Sequence, residues 1–390
     1  MSQVVVTGLG VLSPFGAGVE AYWEGLASGT CGIRPISVID TTGFRCSIAA
    51  EVVDPLPGSR RRSRADRLAL AAAREAICDA RLDAGDRGET ALVVGAVGGG
   101  MLEAEAWYWA RARGVDDDPS PLRSVLPFSH AETLGSALRL GGPRETVVAA
   151  CSSGAAAIAF AADLVADGTV PYAVAGGADA ITRICYMGFN ALKLLDPEPC
   201  RPFDRDRRGM SIGEGAAFVV LEQQRRARDR GAHVYAELRG SAITTDAYHP
   251  TSPHPDGDGM VRAMREALVR ARASHRDVSY VNAHGTATPQ NDRIEGRAIV
   301  DVFGEGRVLV SATKSMIGHT MAAAGSLEAV ATILALVHDV VPPTVNHETA
   351  DPEIAFDCVP KLARDATVDV AISNSFGFGG QNVTLVLGKP

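Results

Sequence analysis

The stretch Thr146–Asp167, TVVAACSSGAAAIAFAADLVAD, decides the fold. Residues 146–149 predict a short buried strand, and the Ala-rich segment 154–167 predicts a helix. Because only a small polar turn separates the two, Cys151 is placed at the N-terminus of that helix. Unpaired backbone N–H groups and the helix dipole there favour a thiolate and can stabilise an oxyanion. The alternative is a packed core thiol, which is the commoner role of a single cysteine.

Outward from this segment, short β-branched runs alternate with Ala-rich segments of helical period. This alternation predicts an α/β fold, and the continuously apolar strands indicate a sheet covered on both faces. The predicted strands are Val4–Thr7, Ala91–Val94, Thr146–Ala149, Tyr172–Ala175, Ala217–Leu221, Val278–Asn282, Val308–Ser311, Val370–Ser373 and Val383–Leu387, and the predicted helices are Arg67–Ala80, Gly154–Asp167, Gly259–Ala273 and Ser326–His338.

The chain contains a sign of internal duplication. TVVAACSSG (146–154) and VDVAISNSFG (368–377) both read as a strand that ends in a small polar turn. The basic stretch 222–232 is the best candidate for the boundary. We therefore predict two similar halves, 1–225 and 226–390, that pack as one body.

Composition excludes several classes of protein. The chain has 390 residues, is 46% hydrophobic and carries a net charge of −8, which argues against disorder, a coiled coil and general nucleic-acid binding. Seven cysteines without a CxxC pair do not indicate a disulfide framework, so a reducing cytoplasm is expected. No Lys or Arg precedes Arg34, and the longest apolar run is Ala329–Val337. We expect neither a secretory signal nor a membrane span.

Two further segments place polar groups at strand ends, where open α/β sheets hold their sites. YVNAHGTATPQND (280–292) puts His284 in the loop after a strand, and VLVSATKSMIGH (308–319) puts Lys314 and His319 between a strand and a helix. A cation and an imidazole in such loops can polarise a carbonyl or stabilise negative charge. The alternatives are a turn histidine, a solvated lysine and a histidine at a helix start, with Glu328 as a surface acid.

The segment SNSFGFGGQN (373–382) lies between two predicted strands. Its glycines permit positive φ and a mobile turn. Phe376 and Phe378 between them suit a gate over an apolar pocket, or else a tight connection with two core phenylalanines.

Three other motifs carry little weight. GLG (8–10) has Ser13 where a dinucleotide fingerprint needs its third glycine, and GAVGGG (95–100) lacks the Lys-Ser/Thr of a P-loop. His249 and His254 have no neighbouring ligand at zinc spacing, so no metal site is predicted.

Taken together, the chain resembles the β-ketoacyl-acyl-carrier-protein synthases of the elongating type. The resemblance runs from end to end, through VVVTGLGVLSPFG, AACSSG, RPFDRDRRGMSIGEGAAFVVLE, DAYHPTSPHPDGDGM, YVNAHGTATPQND, SATKSMIGHTMAAAGSLE and SNSFGFGG. It implies the thiolase fold, with two βαβαβ-type halves in five αβαβα layers, usually as a dimer. The first half would carry the nucleophilic cysteine, and the second half the two histidines and the phenylalanine gate.

The resemblance also implies chemical roles. Cys151 would accept an acyl chain from a carrier-protein thioester. His284 and His319 would hold the enolate oxygen that forms when malonyl-carrier protein loses CO2. The backbone N–H groups of Cys151 and Phe378 would hold the oxyanion of the condensation step, and Phe378 would act as the gate. No metal or other cofactor is implied, because the phosphopantetheine arm carries the substrate.

Supporting residues follow from the same resemblance. Lys314 paired with Glu328 would order the polar cluster, and Thr286 and Thr288 would contact the phosphopantetheine arm. Phe376 and Gly379 are also expected to bind substrate.

An acidic carrier protein requires a basic docking surface. The run GSRRRSRADR (58–67) suggests one, through Arg61, Arg62, Arg64 and Arg67. Arg207, between Arg205 and Arg208, suggests a second. A solvated charge run is the alternative.

Departures from the fatty-acid pattern concern the pathway. PQNDR (289–293) and Gln381 resemble type II polyketide ketosynthases, whereas SFGFGG, TKSMIGH and DAYHPTSP resemble the fatty-acid enzymes. A type II polyketide or polyene synthase is therefore favoured over fatty-acid elongation.

Other functions are disfavoured by the site residues. A non-catalytic chain-length-factor partner is disfavoured because Cys151, His284 and His319 are present. A CoA-dependent thiolase fits less well, since it needs a second active-site cysteine near the C-terminus and Cys358 lies outside the SFGFGG loop. A priming synthase fits less well because that type uses His and Asn where this chain has His284 and His319.

Overall fold

The computed structural model describes residues 3–56, 59, 62–115 and 118–390. Within these residues the strands are β1 (Val4–Ser13), β2 (Gly16–Ala17), β3 (Arg34–Pro35), β4 (Ile48–Ala50), β5 (Thr90–Gly95), β6 (Arg144–Val147), β7 (Tyr172–Asp179), β8 (Ile212–Gly213), β9 (Gly215–Gln223), β10 (Ala236–Thr245), β11 (Tyr280–Asn282), β12 (Leu309–Ser311), β13 (Val340–Val341), β14 (Arg364–Asp365), β15 (Val370–Gly377) and β16 (Gln381–Gly388).

The helices of the same residues are α1 (Val19–Ala27), α2 (Arg64–Asp79), α3 (Ala84–Glu89), α4 (Met101–Ala112), α5 (Phe128–Leu138), α6 (Ser153–Ala166), α7 (Arg183–Ala191), α8 (Gln224–Asp229), α9 (Asp258–Ala271), α10 (Pro289–Phe303), α11 (Lys314–Ile317) and α12 (Ala324–His338). Short 3₁₀ turns cover Ser120–Val125, Ala150–Ser152 and Met321–Ala323. The nine predicted strands and four predicted helices are confirmed to within a few residues.

The strand topology is duplicated. Along the sheet, the first half runs β6-β5-β7-β9-β1 and the second runs β12-β11-β15-β16-β10. Counted in chain order within each half, both read 3-2-4-5-1. The first three strands of each path are parallel, and the last two are antiparallel. The prediction of two similar halves is therefore confirmed in topology, and the halves join edge to edge where β1 pairs with β10.

The helices form three layers around the two half-sheets. α2 packs on the outer face of the first half, and α9 packs on that of the second. Between the half-sheets lie α6 and α12, which contact each other and strands of both halves. This is the predicted αβαβα order. The boundary at 225/226 stays a prediction; β9 ends at Gln223 and β10 begins at Ala236.

One helical stretch, Met321–His338, has the length and apolar composition of a membrane span, and 89% of it is buried inside the protein. Helices of the middle layer are apolar all round because both of their sides are covered. The longest apolar run named from the sequence, Ala329–Val337, lies inside this stretch, which also includes the polar residues Ser326 and Glu328.

The turn before α12 packs closely against the backbone of β7 and α6. A Cβ added at Gly177 of β7 would lie 2.5 Å from the Ala322 carbonyl oxygen, and one at Gly154 of α6 would lie 2.7 Å from the same oxygen. The turn before α12 therefore fits against β7 and α6 only because both residues are glycines. This contact fixes the distance between the helix start behind Cys151 and the turn that follows His319.

Gly177→Ala should destabilise the protein by about 3 kcal/mol, because the added methyl group would overpack a site bounded by backbone. The measurement is a shift of the chemical denaturation midpoint. Gly88→Ala in α3 is the matched control, since a Cβ there would meet no atom within 4 Å. Equal midpoints for the two variants would contradict the packing argument.

Candidate active site

The four loops singled out in the sequence converge on one cavity of about 270 Å³. Each loop follows a strand or begins a helix, so the site lies at the ends of the middle layer. The residues predicted from the sequence that line it are Cys151, His284, Thr286, Thr288, His319, Phe376 and Phe378. Gly379 does not line it; its backbone N–H donates to the Pro250 carbonyl at 2.8 Å.

Cys151 lies in the 3₁₀ turn Ala150–Ser152, directly before α6. Ala150 adopts a φ of 47°, which raises the cysteine out of the strand path. The Ser153 hydroxyl closes the turn, donating to the Ala150 carbonyl at 2.7 Å and accepting from the Ala149 N–H at 2.9 Å. The predicted strand 146–149 therefore ends early, at Val147, because its last residues enter this turn.

The Cys151 thiol is buried, with 8% of the residue exposed. Burial raises its pKa to about 11, although the Phe378 backbone N–H and the Lys314 charge act in the opposite direction. A helix dipole contributes at most about 2 kcal/mol, which is too little to compensate. Burial therefore outweighs the helix N-terminus that was expected to favour a thiolate.

The two imidazoles face each other across the cavity, with ring centroids 5.5 Å apart and an interplanar angle of 88°. Burial, the Lys314 charge and, for His284, the neighbouring His319 lower the pKa of each well below its usual value, so both are neutral. His284 Nδ1 lies 3.2 Å from the Lys314 ammonium, which can only donate. His319 Nδ1 accepts the Met321 N–H at 3.2 Å. In both rings the proton is therefore on Nε2.

Lys314 and Glu328 form a buried ion pair behind the imidazoles. The ammonium also donates to the His284 carbonyl at 2.7 Å. Burial raises the Glu328 pKa to about 7, while Lys314 acts to lower it. The alternatives of a solvated lysine and a surface acid are excluded, because side-chain exposure is 1% and 0%.

Glu295 was missed in the sequence. Its carboxylate accepts the backbone N–H groups of His284 at 2.7 Å and Gly285 at 2.8 Å, and so holds the loop that presents the imidazole. Burial raises its pKa to about 7. The available signal was a row of polar residues, Asn291, Asp292 and Glu295, along one side of α10, where a buried helix face would otherwise be apolar.

Two residues of the predicted docking surface are corrected. The Arg64 guanidinium pairs with Glu214 and donates to the Val52 carbonyl, leaving its side chain 17% exposed. Arg207 is buried and pairs with Asp351. Both cations therefore hold the fold together internally. Arg61 lies outside the described residues, and Arg62 and Arg67 are half-buried at the start of α2.

Cys151 at a helix start shares one cavity with two neutral imidazoles. This site, in a duplicated five-layer fold, defines a thiolase-fold condensing enzyme. Profiles of the β-ketoacyl synthase N-terminal and C-terminal domains match residues 1–227 and 235–348. The chain belongs to the β-ketoacyl synthase family of acyltransferase-type condensing enzymes.

Three relatives illustrate the match. The chain is 40% identical to 3-oxoacyl-[acyl-carrier-protein] synthase 2 of Synechocystis sp., over 99% of this chain and 98% of the relative. It is also 40% identical to a putative polyketide β-ketoacyl synthase 1 of Streptomyces halstedii, over 100% and 98%. The structure of the ishigamide ketosynthase/chain length factor superposes with a TM-score of 0.96, at 38% identity and covering 100% and 99% of the two chains.

Lys314→Met should lower the free energy of unfolding by about 3–5 kcal/mol at pH 8, because Glu328 would remain buried without its counter-charge. The pKa of Glu328 is higher in the folded protein than its usual value. The free energy of unfolding therefore falls as pH rises, because ionising this carboxyl is harder in the folded state than in the unfolded state. The loss should accordingly shrink at pH 5.5, where the carboxyl is protonated. Denaturant titrations at both pH values measure this.

The double variant Lys314→Met/Glu328→Leu is the control, and it should regain most of the lost stability because neither charge remains. Equal stability of the single and double variants at pH 8 would show that the pair is not coupled.

Proposed function

We propose that this chain is a 3-oxoacyl-[acyl-carrier-protein] synthase that elongates a chain held on Cys151 by decarboxylative Claisen condensation in type II polyketide biosynthesis. The observation that carries the proposal is the shared cavity of one thiol and two imidazoles that each present an Nε2–H group. Such a cavity offers a nucleophile and two neutral donors for a developing oxyanion.

In the first half-reaction, Cys151 sulfur attacks the carbonyl of an acyl thioester carried on a phosphopantetheine arm. A carbon–sulfur bond forms to Cys151, the arm's sulfur leaves, and it takes the proton that the Cys151 thiol released. The backbone N–H groups of Cys151 and Phe378 stabilise the tetrahedral oxyanion. Support comes from the Phe378 N–H, which acts to lower the pKa of the Cys151 thiol.

In the second half-reaction, a malonyl thioester loses CO2, and the electron pair of the broken carbon–carbon bond passes into an enolate. The Nε2–H groups of His284 and His319 hold the enolate oxygen. The enolate carbon then attacks the acyl carbonyl, and Cys151 sulfur leaves and is reprotonated from solvent. The product is two carbons longer. Nothing is oxidised or reduced, so the proposed chemistry needs no redox cofactor, and the imidazole N–H groups stabilise the enolate oxygen without a metal.

The threonine side of the cavity suits the phosphopantetheine arm. Thr286 and Thr288 lie 2.9 Å apart at their hydroxyl oxygens and line the wall, so both can bond amides of the phosphopantetheine. The Phe378 ring is half-buried, 5.9 Å from the Phe189 ring centroid, where a movement would open or close the passage. Phe376 lies 6.0 Å from the His284 ring and bounds the acyl side.

The polyketide pathway is favoured by residues 289–293 and Gln381, together with the Streptomyces relative and the ishigamide structure. Fatty-acid elongation is the alternative, since the Synechocystis relative is equally similar. A non-catalytic chain-length-factor role is not favoured, because a thiol and both imidazoles line the cavity.

A second subunit is part of the proposal, as a copy of this chain or a chain-length-factor-like partner. Large apolar side chains on α4 and the adjoining segment 120–128 are half or more exposed, among them Tyr108, Trp109, Leu126 and Phe128. Exposed apolar area of this kind marks interfaces.

A cytoplasmic location, as expected from the cysteines, is also part of the proposal. The partner that delivers substrate is proposed to be an acyl carrier protein.

Cys151→Ala should abolish the covalent acyl adduct yet keep malonyl decarboxylation, whereas His319→Ala should lose decarboxylation. The measurement is mass spectrometry of protein and carrier after incubation with acyl- and malonyl-carrier protein. Cys31→Ser is the matched control, since this thiol is exposed and outside the cavity. An adduct that persists in Cys151→Ala would refute the assignment of the nucleophile.

Arg62→Glu should raise the KM for carrier-bound substrate by about fivefold, because it would place a negative charge where an acidic carrier protein is proposed to dock. N-acetylcysteamine thioesters, which have no carrier, should keep their KM. Arg270→Glu on the exposed side of α9 is the matched control. An equal rise with the small thioester would remove Arg62 from the docking surface.

A further inference from the structure

Asp179 ends β7 and is fully buried, but the chemistry described above does not use it. Its carboxylate accepts backbone N–H groups from two loops and from the next residue in the chain. Gly98 donates at 2.9 Å, Gly99 at 3.2 Å, Ala180 at 3.2 Å and Ala322 at 3.2 Å. A carboxylate with four N–H donors is held in one orientation, and it holds the donors in turn.

Of these donors, Ala322 is the one that leads to the reacting groups. It lies in the 3₁₀ turn Met321–Ala323, next to Met321, whose own N–H donates to His319 Nδ1. Met321 has a φ of 52°, a conformation that an L-residue keeps only when its surroundings impose it. Two consecutive N–H groups of this turn therefore donate to different partners: that of Met321 to the His319 imidazole, and that of Ala322 to the Asp179 carboxylate.

The charge of Asp179 is balanced mainly by these dipoles. Among the described residues, no lysine or arginine forms an ion pair with it. His130 on α5 acts to lower the Asp179 pKa, and its Nδ1 lies 2.7 Å from the Asp66 carboxylate. The Asp179 charge acts to raise the pKa of the Cys151 and Cys185 thiols.

We propose that Asp179 is a positioning residue of the condensation reaction, which fixes the His319 imidazole by holding the turn Met321–Ala323. The proposal rests on the proposed function, since it assigns to His319 the enolate oxygen of the decarboxylation step. Asp179 itself touches neither substrate nor the reacting sulfur. Its effect is to keep His319 Nε2–H aimed into the cavity by fixing the N–H group that His319 Nδ1 accepts.

Measuring the two half-reactions separately distinguishes a positioning role of Asp179 from a general loss of structure. In Asp179→Asn, an amide NH2 group would face backbone N–H donors, so at least one of the four hydrogen bonds is lost. The kcat of malonyl-carrier decarboxylation should fall about tenfold or more, because a displaced imidazole no longer meets the enolate oxygen, with KM unchanged. Acyl transfer to Cys151 should stay equal or become faster, because removing the negative charge makes the thiol easier to ionise.

Each half-reaction is followed separately, decarboxylation by CO2 release and acylation by the mass of the protein. Glu222→Gln is the matched control, a buried carboxylate of β9 that pairs with Arg230 away from the cavity, and it should change neither rate. If Asp179→Asn does not fold, Asp179→Thr is the second variant. Its hydroxyl keeps one oxygen that can accept a backbone N–H, and threonine is a residue that strands favour.

Equal losses in both half-reactions, or decarboxylation at the wild-type rate, would overturn the positioning role. Failure of the proposed function has a different signature, since the wild-type protein would then show neither acyl adduct nor decarboxylation.

Discussion

The site depends on a contact that involves no side chain. The Ala322 carbonyl oxygen fits between Gly154 at the start of α6 and Gly177 on β7. Because β-carbons at either glycine would collide with this oxygen, the two central helices can approach closely only with glycine on both sides. Cys151 precedes one of these helices and His319 precedes the other. The meeting of a thiol and an imidazole from distant stretches of chain is therefore a consequence of backbone packing in the middle layer.

The same kind of contact occurs in both halves, although the carboxylate comes from the end of β7 in the first half and from α10 in the second. In each half, the loop after the second strand is held by a buried carboxylate that accepts consecutive backbone N–H groups. Asp179 takes Gly98 and Gly99 after β5, and Glu295 takes His284 and Gly285 after β11. A loop at a strand end leaves N–H groups unpaired in a buried place, and a carboxylate satisfies two of them at once. Only the second half uses its loop to present an imidazole.

Most of the fold could be predicted from the sequence, because the buried strands are short apolar runs between recognisable turns. β10 could not: AELRGSAITT mixes charged and small residues, since the strand is partly exposed along its length. Cys151, His284 and His319 could be found from their local motifs. Glu295 and Asp179 could not be assigned, because their importance lies in backbone groups that they reach through folding. Arg207 was misplaced for the same reason: its partner Asp351 is 144 residues away.

Burial also decides which kind of catalyst the cavity can be. A thiol with a pKa near 11 and two imidazoles held neutral form a site whose resting lining carries no charge on its reacting atoms. The Lys314–Glu328 pair and the carboxylates of Asp179 and Glu295 do not line the cavity, and Asp246 is the charged residue among its lining residues. A reaction that creates negative charge on oxygen gains most from fixed neutral donors in such surroundings, since they need no reorganisation as the charge develops. A general base that takes a proton from solvent-exposed substrate would need an imidazole that titrates near neutral pH, and burial has removed that property from both histidines.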